Sequence, residues 1–514
     1  MSDIATRDET IKKELLEYQG NILILANAGS GKTTFLAEKL KSDSKKLDNY
    51  QKLAAITFTR NATEEIKQKL VEIPENVVVS TIDSFLDNEI ILPFLDQRYK
   101  VATSLQFSFQ QEYKFNNFDI GLSQIMQNGI FATYDNPTAR QGKNFKCEVA
   151  LDILKNIVSA SEYLKYKFNS LYIDEFQDCD QSMNDLFMYL KDELGIRLFI
   201  VGDDKQSIYQ WRGASPRYIK NLWENENDLK KERFIGNFRS LPKIVDFSLA
   251  LTPEVKIDSI NETGSILYIE TKQFALKEDV IRSLVDNGDI NLDEKNYFLI
   301  GNNQHIEETV TQLGGIFPNE FDYVRKNPFI ECTNGRFLQS LAQYYFLESF
   351  SEYDVLNNLF PDYNDDFRKG LLKKLKILRQ NPERLLIEDI ASYLGVPITQ
   401  FGDKLESQIL LEVLIDVENR ILFDTSSLKN NLLMTTHNSK GLAADTVIIF
   451  VEYLIDRYKN TLKFEDHYVA ITRAKSKIII IDNHPAYINE INRLLSSNNG
   501  KFSLEDFIER RIYE

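Results

Sequence analysis

The segment ANAGSGKTT, residues 26–34, constrains this chain more than any other. An apolar run, NILIL, precedes it, and FLAEKLK follows it with helical character. Strand, glycine-bearing loop and helix in that order make a cradle for phosphate, because backbone N–H groups at the start of the helix turn inward around an anion. Gly29 and Gly31 supply the backbone freedom that such a loop needs. Lys32 is placed to reach terminal phosphates and Thr33 to ligate Mg²⁺. The nucleotide-contacting stretch is therefore read as Ala26, Asn27, Ala28, Gly29, Ser30, Gly31, Lys32, Thr33 and Thr34. The strict pattern has glycine where Ala26 stands, so the match is incomplete at its first position.

A phosphate loop of this kind sits at the carboxyl edge of a parallel sheet. The chain has two sets of short apolar runs from which such sheets can be built. The first is 21–29, 53–59, 77–82, 170–176 and 198–203; the second is 265–270, 296–301, 431–437, 446–451 and 477–482. Continuous apolar runs, rather than alternating ones, are expected of strands covered on both faces. A mostly helical stretch interrupts each set. In the second stretch, IEDIASYLGVPITQF (387–401) has helix-turn-helix spacing, which is also common in helical domains that never touch DNA.

The first set contains a second half-site. In LYIDEFQDCD (171–180) an apolar strand ends in Asp174 and Glu175. One carboxylate can hold Mg²⁺ while its neighbour accepts a proton from an attacking water; the pair could equally be an acidic cap on the next helix. With a phosphate loop upstream, the nucleotide reading is the better one.

At 514 residues the chain is long enough for several domains. Cys147, Cys179 and Cys332 form no CxxC pair, and His305, His437, His467 and His484 have no metal-ligand spacing, so neither a disulfide framework nor a zinc site is expected. The first residues lack a signal-peptide pattern and no apolar run is long enough to span a bilayer, which places the protein in the cytoplasm. A net charge of −16 argues against a surface coated with phosphate-binding residues, but a local basic groove on an acidic body remains compatible with nucleic acid.

GDDKQSIYQWRGA (202–214) sets an amide and two large aromatic rings between polar residues. With it the series of motifs is complete, and the chain resembles the UvrD/PcrA/Rep branch of superfamily 1 helicases. ANAGSGKT looks like motif I, ITFTRNA (56–62) like Ia, STIDSF (80–85) like Ib and IDEFQD (173–178) like II. GDDKQSIYQWRGA looks like III, NFRS (237–240) like IV, TTHNSKGL (435–442) like V and VAITRAK (469–475) like VI. All eight stand in the family's order.

The resemblance implies an α/β fold of two RecA-like parallel-sheet domains, 1A (1–86 and 166–236) and 2A (237–314 and 429–514). Mainly helical insertions interrupt them, 1B (87–165) and a reduced 2B (315–428). It implies ATP and Mg²⁺ between the sheets. Lys32 and Thr33 would bind phosphate and metal, Asp174 the metal, and Glu175 would be the catalytic base. Gln206 would sense the γ-phosphate, and Arg239 and Arg473 would act as arginine fingers. Phe238 would stack on the base, and Gly441 would lie against the nucleotide. For DNA, Phe58, Tyr209 and Trp211 resemble residues on which single-stranded bases stack, with Thr57, Arg60, Asn61, Thr81, Thr436 and His437 along the backbone track.

Several positions depart from the family. No Gln stands about twenty residues before Lys32 to read adenine; Gln19 is much nearer. Thr34 replaces an Arg, Asp83 a His, and Ala443 the Glu that follows KGL and holds ribose. Relaxed nucleotide choice, with dATP or GTP substituting for ATP, is expected. Two functions follow: a 3′→5′ DNA-dependent translocase acting on single-stranded or tailed DNA, or a subunit that senses DNA ends or single strands beside a partner nuclease. The length and short insertions resemble the helicase-like component of Gabija anti-phage systems, which works beside an OLD-family nuclease.

Overall fold

In a computed structural model the chain is described over residues 2–48, 50–100, 108–134, 144–210, 213–253, 256–271, 276–301, 303–323, 328–329, 332–348, 350–359, 365–423, 429–456, 459–498 and 500–513. Two parallel sheets organise it. The first has six strands, in spatial order Val77–Thr81, Lys52–Thr57, Phe168–Ile173, Arg197–Gly202, Asn21–Ala26 and Leu229–Phe234. The second has seven, in the order Phe321–Tyr323, Asn431–Met434, Asn296–Leu299, Ala444–Phe450, Ala474–Asp482, Ser265–Glu270 and Glu509–Ile512. Every pairing in both is parallel.

The apolar runs follow from helices covering both faces. Ile22 and Ile24 pack on one side with Phe35, Leu36 and Leu40 of the helix Lys32–Ser44. Leu23 and Leu25 pack on the other, in a cluster with Phe176, Leu186 and Phe187. The second sheet repeats this, with Ile478 and Ile480 on one face and Ile479 and Ile481 on the other. Fully burying one such side chain contributes roughly 1.5–3 kcal/mol.

The expected insertions differ in detail. The stretch read as 1B holds the helices Phe118–Asn128, Phe145–Asn156 and Val158–Lys167, but also a parallel strand pair, Ser108–Phe115 with Ile130–Tyr134. The helix Asn303–Ile316 runs across the expected 314/315 boundary, and Phe321–Tyr323 beyond it joins the second sheet. The remainder of that stretch forms its own helical core around Leu338, Leu341, Leu371, Leu375, Ile387 and Leu410. Its helix-turn-helix spacing is a packing pattern: Ile390, Ala391 and Leu394 are buried. After Gly395, at φ +66°, the chain makes a small hairpin, and the next helix starts only at Glu406.

Candidate nucleotide cleft and nucleic-acid track

The phosphate loop, the acidic pair and Gln206 come together because they leave the carboxyl ends of three neighbouring strands, Asn21–Ala26, Phe168–Ile173 and Arg197–Gly202. Gly29 and Gly31 have φ of +76° and +81°, a conformation that favours glycine. A Cβ on Gly29 would also lie 2.7 Å from Asn237 Oδ1. Ala26 needs no such freedom. It ends the strand, buried and in register with Phe234, so a methyl group fits where the strict pattern has glycine.

The residues present fit a Mg²⁺-nucleotide. Ser30 Oγ, on the phosphate loop, is buried and has no hydrogen-bond partner among the described residues, as a polar atom left for a ligand would be. Thr33 Oγ1 donates to Asp174 Oδ2 at 3.1 Å, a hydroxyl–carboxylate pair of the kind that holds Mg²⁺. Thr34 does not join this cradle through its side chain: it is exposed and its hydroxyl accepts from Lys69 at 3.0 Å. Asn27 and Ala28 are buried in the loop.

Glu175 is held under constraint. It sits at φ +57°, ψ +38°, a left-handed conformation that costs a non-glycine residue about 1 kcal/mol or more. Its carboxylate is ion-paired with Lys32 and accepts from Gln177. Burial favours the neutral acid at this position, but Lys32 and Lys440 outweigh it and hold the Glu175 carboxyl below its usual range. Burial pushes Asp174 up to about 6 and Asp178 up to about 6, against the pull of Lys32 and Lys440 respectively.

The second sheet closes the cleft with two arginines. Arg473, 2% exposed, donates from Nη2 to Gln206 Oε1 at 3.0 Å and from Nε to Val469 O at 3.0 Å. Burial, then the neighbouring Arg239, lowers its pKa to about 9, so it stays cationic at neutral pH. Gln206 Nε2 in turn donates to Asp203 Oδ2 at 2.7 Å. Arg239 Nη1 donates to Thr472 O at 3.0 Å. The NFRS loop is latched to the phosphate loop: Asn237 Nδ2 donates to Ala28 O at 3.0 Å and Phe238 N to Gly29 O at 2.8 Å. The Phe238 ring is 60% exposed, open to a base. Gly441 has φ +84° and no heavy atom within 4 Å of where a Cβ would stand.

Gln19 is not at this site. Its side chain donates to Asp43 and accepts from Arg197, at the amino end of a strand whose other end carries the phosphate loop, about 20 Å along. Lys12 stands beside the phosphate loop and Phe238 instead. Its Nζ donates to Ser30 O at 3.3 Å and lies 5.0 Å from the Phe238 ring centre and 5.2 Å from that of Phe234. Asp8 on the same helix, fully buried, accepts from the N–H groups of Ile235 and Gly236 and so fixes the start of the NFRS loop.

The expected DNA residues divide. Tyr209 is half-buried beside His437, ring centres 5.8 Å apart, and His437 Nε2 lies 3.0 Å from Ile208 O. Thr436 begins the short helix Thr436–Ser439 and Thr81 caps the helix Ile82–Leu86, both half-buried. Phe58 is half-buried against the first core. Thr57 is 1% exposed, and its hydroxyl bonds Thr59 O and Thr63 Oγ1 of the following loop and helix. Arg60 and Asn61 open the helix Arg60–Leu70, and their side chains, like the whole of Trp211, lie outside the described residues.

Against known proteins this arrangement has a clear match. Gabija protein GajB of Bacillus cereus (strain VD045) is 32% identical over 492 residues, 94% of this chain and 97% of that protein. The chain belongs to the Gabija GajB family. Within this GajB-family chain, residues 9–212 match the AAA domain model and residues 432–481 the UvrD-like helicase C-terminal domain model. ATP-dependent DNA helicase Rep of Buchnera aphidicola is 29% identical over 50% of the chain and 45% of that protein. ATP-dependent DNA helicase PcrA of Staphylococcus epidermidis is 22% identical over 90% and 81%. Among solved structures, "S. cerevisiae dbp5 l327v bound to nup159, gle1 h337r, ip6 and adp" covers 98% of this chain and 90% of that one at 12% identity and a TM-score of 0.39, too slight to carry an argument.

Four residues of this GajB-family cleft lie outside the sequence-read set. Gln177 and Asp178 stand inside the quoted IDEFQD, and Lys440 inside TTHNSKGL, so motif membership was their signal. Lys12 had none, since no spacing rule marks a lysine on an amphipathic first helix as a neighbour of the phosphate loop.

Proposed function

We propose that this chain is a DNA-dependent NTPase that moves 3′→5′ along single strands and works in the cytoplasm within a Gabija-type complex beside an OLD-family nuclease. The observation that carries the motor reading is the pairing of Arg473 on the second sheet with Gln206 on the first. An arginine that reaches the γ-phosphate position only when the sheets are together makes hydrolysis a gate on their motion. Asp174 and Thr33 would hold Mg²⁺, which would neutralise charge developing on the phosphates. Glu175 would orient and deprotonate the attacking water once Lys32 turns to phosphate. Tyr209, with Trp211, would supply the stacking surface, worth roughly 1–3 kcal/mol per base and tolerant of sequence. Similarity to a Gabija protein along nearly its whole length supports the defence setting.

Base and ribose would be read loosely. Lys12 offers only donors, which suit O6 and N7 of guanine and N7 of adenine, and Ala443 gives the ribose no acceptor. One assay tests both parts of the reading. The purified chain should displace the strand of a 3′-tailed duplex and not of a 5′-tailed one, with dATP and GTP supporting about the same rate as ATP. Equal action on both tails would contradict the polarity. An ATP preference above about hundredfold, some 2.7 kcal/mol, would contradict the loose base reading.

A further inference from the structure

Lys440 spans the cleft, and its charge favours the ionised forms of Glu175 and Asp178. It stands on the second sheet's side, just after the helix Thr436–Ser439, yet its ammonium lies among loops of the first sheet. It donates to Asp178 Oδ2 at 2.6 Å and to Gln206 O at 3.0 Å, and stands 3.7 Å from Glu175 Oε2. The same nitrogen is 5.1 Å from the centre of the Tyr209 ring.

A lysine beside a nucleic-acid track ordinarily binds phosphate. Lys440 is not placed for that, because its side chain is 9% exposed and its three N–H donors face three oxygens of the protein. It directly follows the short helix that carries His437, which meets Ile208 O. The segment from Gln206 to Tyr209 is thus held at two backbone oxygens from across the cleft. The Tyr209 ring, the Gln206–Tyr209 backbone, Lys440, Asp178 and Glu175 therefore form one continuous set of contacts.

We propose that Lys440 is the positioning residue that relays occupancy of Tyr209 by a single-stranded base to Glu175. This rests on the reading of the chain as a DNA-dependent NTPase. A base stacking on the ring would shift the Gln206–Tyr209 segment. Lys440 would follow it, changing its approach to Glu175 and the orientation of the carboxylate toward water. No bond to the nucleic acid is made by Lys440 itself.

The test compares wild type, Lys440→Met, Lys440→Arg and Asp178→Asn, measuring ATP hydrolysis with and without oligo(dT) and, separately, oligo(dT) binding by fluorescence anisotropy. Lys440→Met is expected to lower basal kcat as well, because it removes a charge 3.7 Å from Glu175, but to lower stimulated kcat about tenfold or more beyond that, so that the ratio falls while affinity for oligo(dT) is little changed, as for loss of a coupling rather than a contact. Asp178→Asn, which removes the far end of the ion pair, should lower the ratio likewise, and the double variant no further than either alone. Lys440→Arg, keeping the charge, should restore most of the ratio. A merely structural role would reduce basal and stimulated rates together and leave the ratio intact, which overturns the relay. A phosphate contact would weaken oligo(dT) binding, which also overturns it. If Lys440→Met does not fold, Asp178→Asn and Lys440→Arg decide the matter, and an unchanged ratio in the first overturns the proposal. Absence of stimulation in wild type sinks the DNA-dependent reading and the relay together, whereas stimulation kept in the variants sinks the relay alone.

Discussion

Glu175→Gln lowers the rate of ATP hydrolysis by about 10³-fold, the usual range for loss of a positioned general base, while nucleotide still binds. The geometry adds a sign to the binding half of this result. Glu175 is ion-paired with Lys32, the residue assigned to the phosphates, so a bound nucleotide must take Lys32 from a carboxylate. Glutamine removes that competitor without changing the shape of the site. Affinity for a nucleotide should therefore hold or rise as turnover collapses. Single-turnover hydrolysis together with titration of a fluorescent ATP analogue separates the two effects. A variant that loses binding and turnover in parallel would show that Glu175 acts by shaping the loop, a role its left-handed backbone makes a fair competitor.

Arg473→Ala has the second large effect, a loss of about 10³-fold or more in kcat, as expected when an arginine that meets transition-state charge is removed. The present contacts explain why Arg473→Lys should rescue little. The guanidinium uses Nε, Nη1 and Nη2 on four different oxygens, Val469 O, Leu442 O, Gln206 Oε1 and Thr472 Oγ1, a fork that an ammonium cannot reproduce. Removal also leaves the Gln206 side-chain oxygen without its partner across the cleft, so the sheets lose a contact along with a charge. Steady-state kcat with saturating oligo(dT) measures this; a loss below about tenfold, some 1.4 kcal/mol, would place the residue outside the chemistry.

The parts of this site legible in the sequence are those fixed by short-range chemistry. The phosphate loop is one, since strand, glycines, lysine and helix are contiguous. The central strands are another, since burial on both faces leaves continuous apolar runs such as Asn21–Ala26. Two of the four edge strands, Leu229–Phe234 and Glu509–Ile512, carry no such signal because an edge need not be apolar: LKKERF is only partly buried and ERRI is exposed throughout. Thr57 is less open than its motif suggests, because Thr59 and Thr63, after its strand, engage its hydroxyl. Lys12 and Asp8 depend on which helices and loops meet across the fold, and no local pattern encodes that; Lys440 stands inside a motif, but its partners across the cleft are seen only in the fold. Gln19 is separated from the base position by the direction of its strand, which only the fold shows.

Whether one cleft serves nucleotide and nucleic acid together is settled by the ATPase rate of the purified chain with and without oligo(dT) at low salt. Stimulation of about tenfold or more is expected, a lowering of the barrier by about 1.4 kcal/mol or more, and it should be lost on Tyr209→Ala. An identical rate with and without oligo(dT), in a preparation that hydrolyses ATP and binds the oligonucleotide, would contradict a shared cleft.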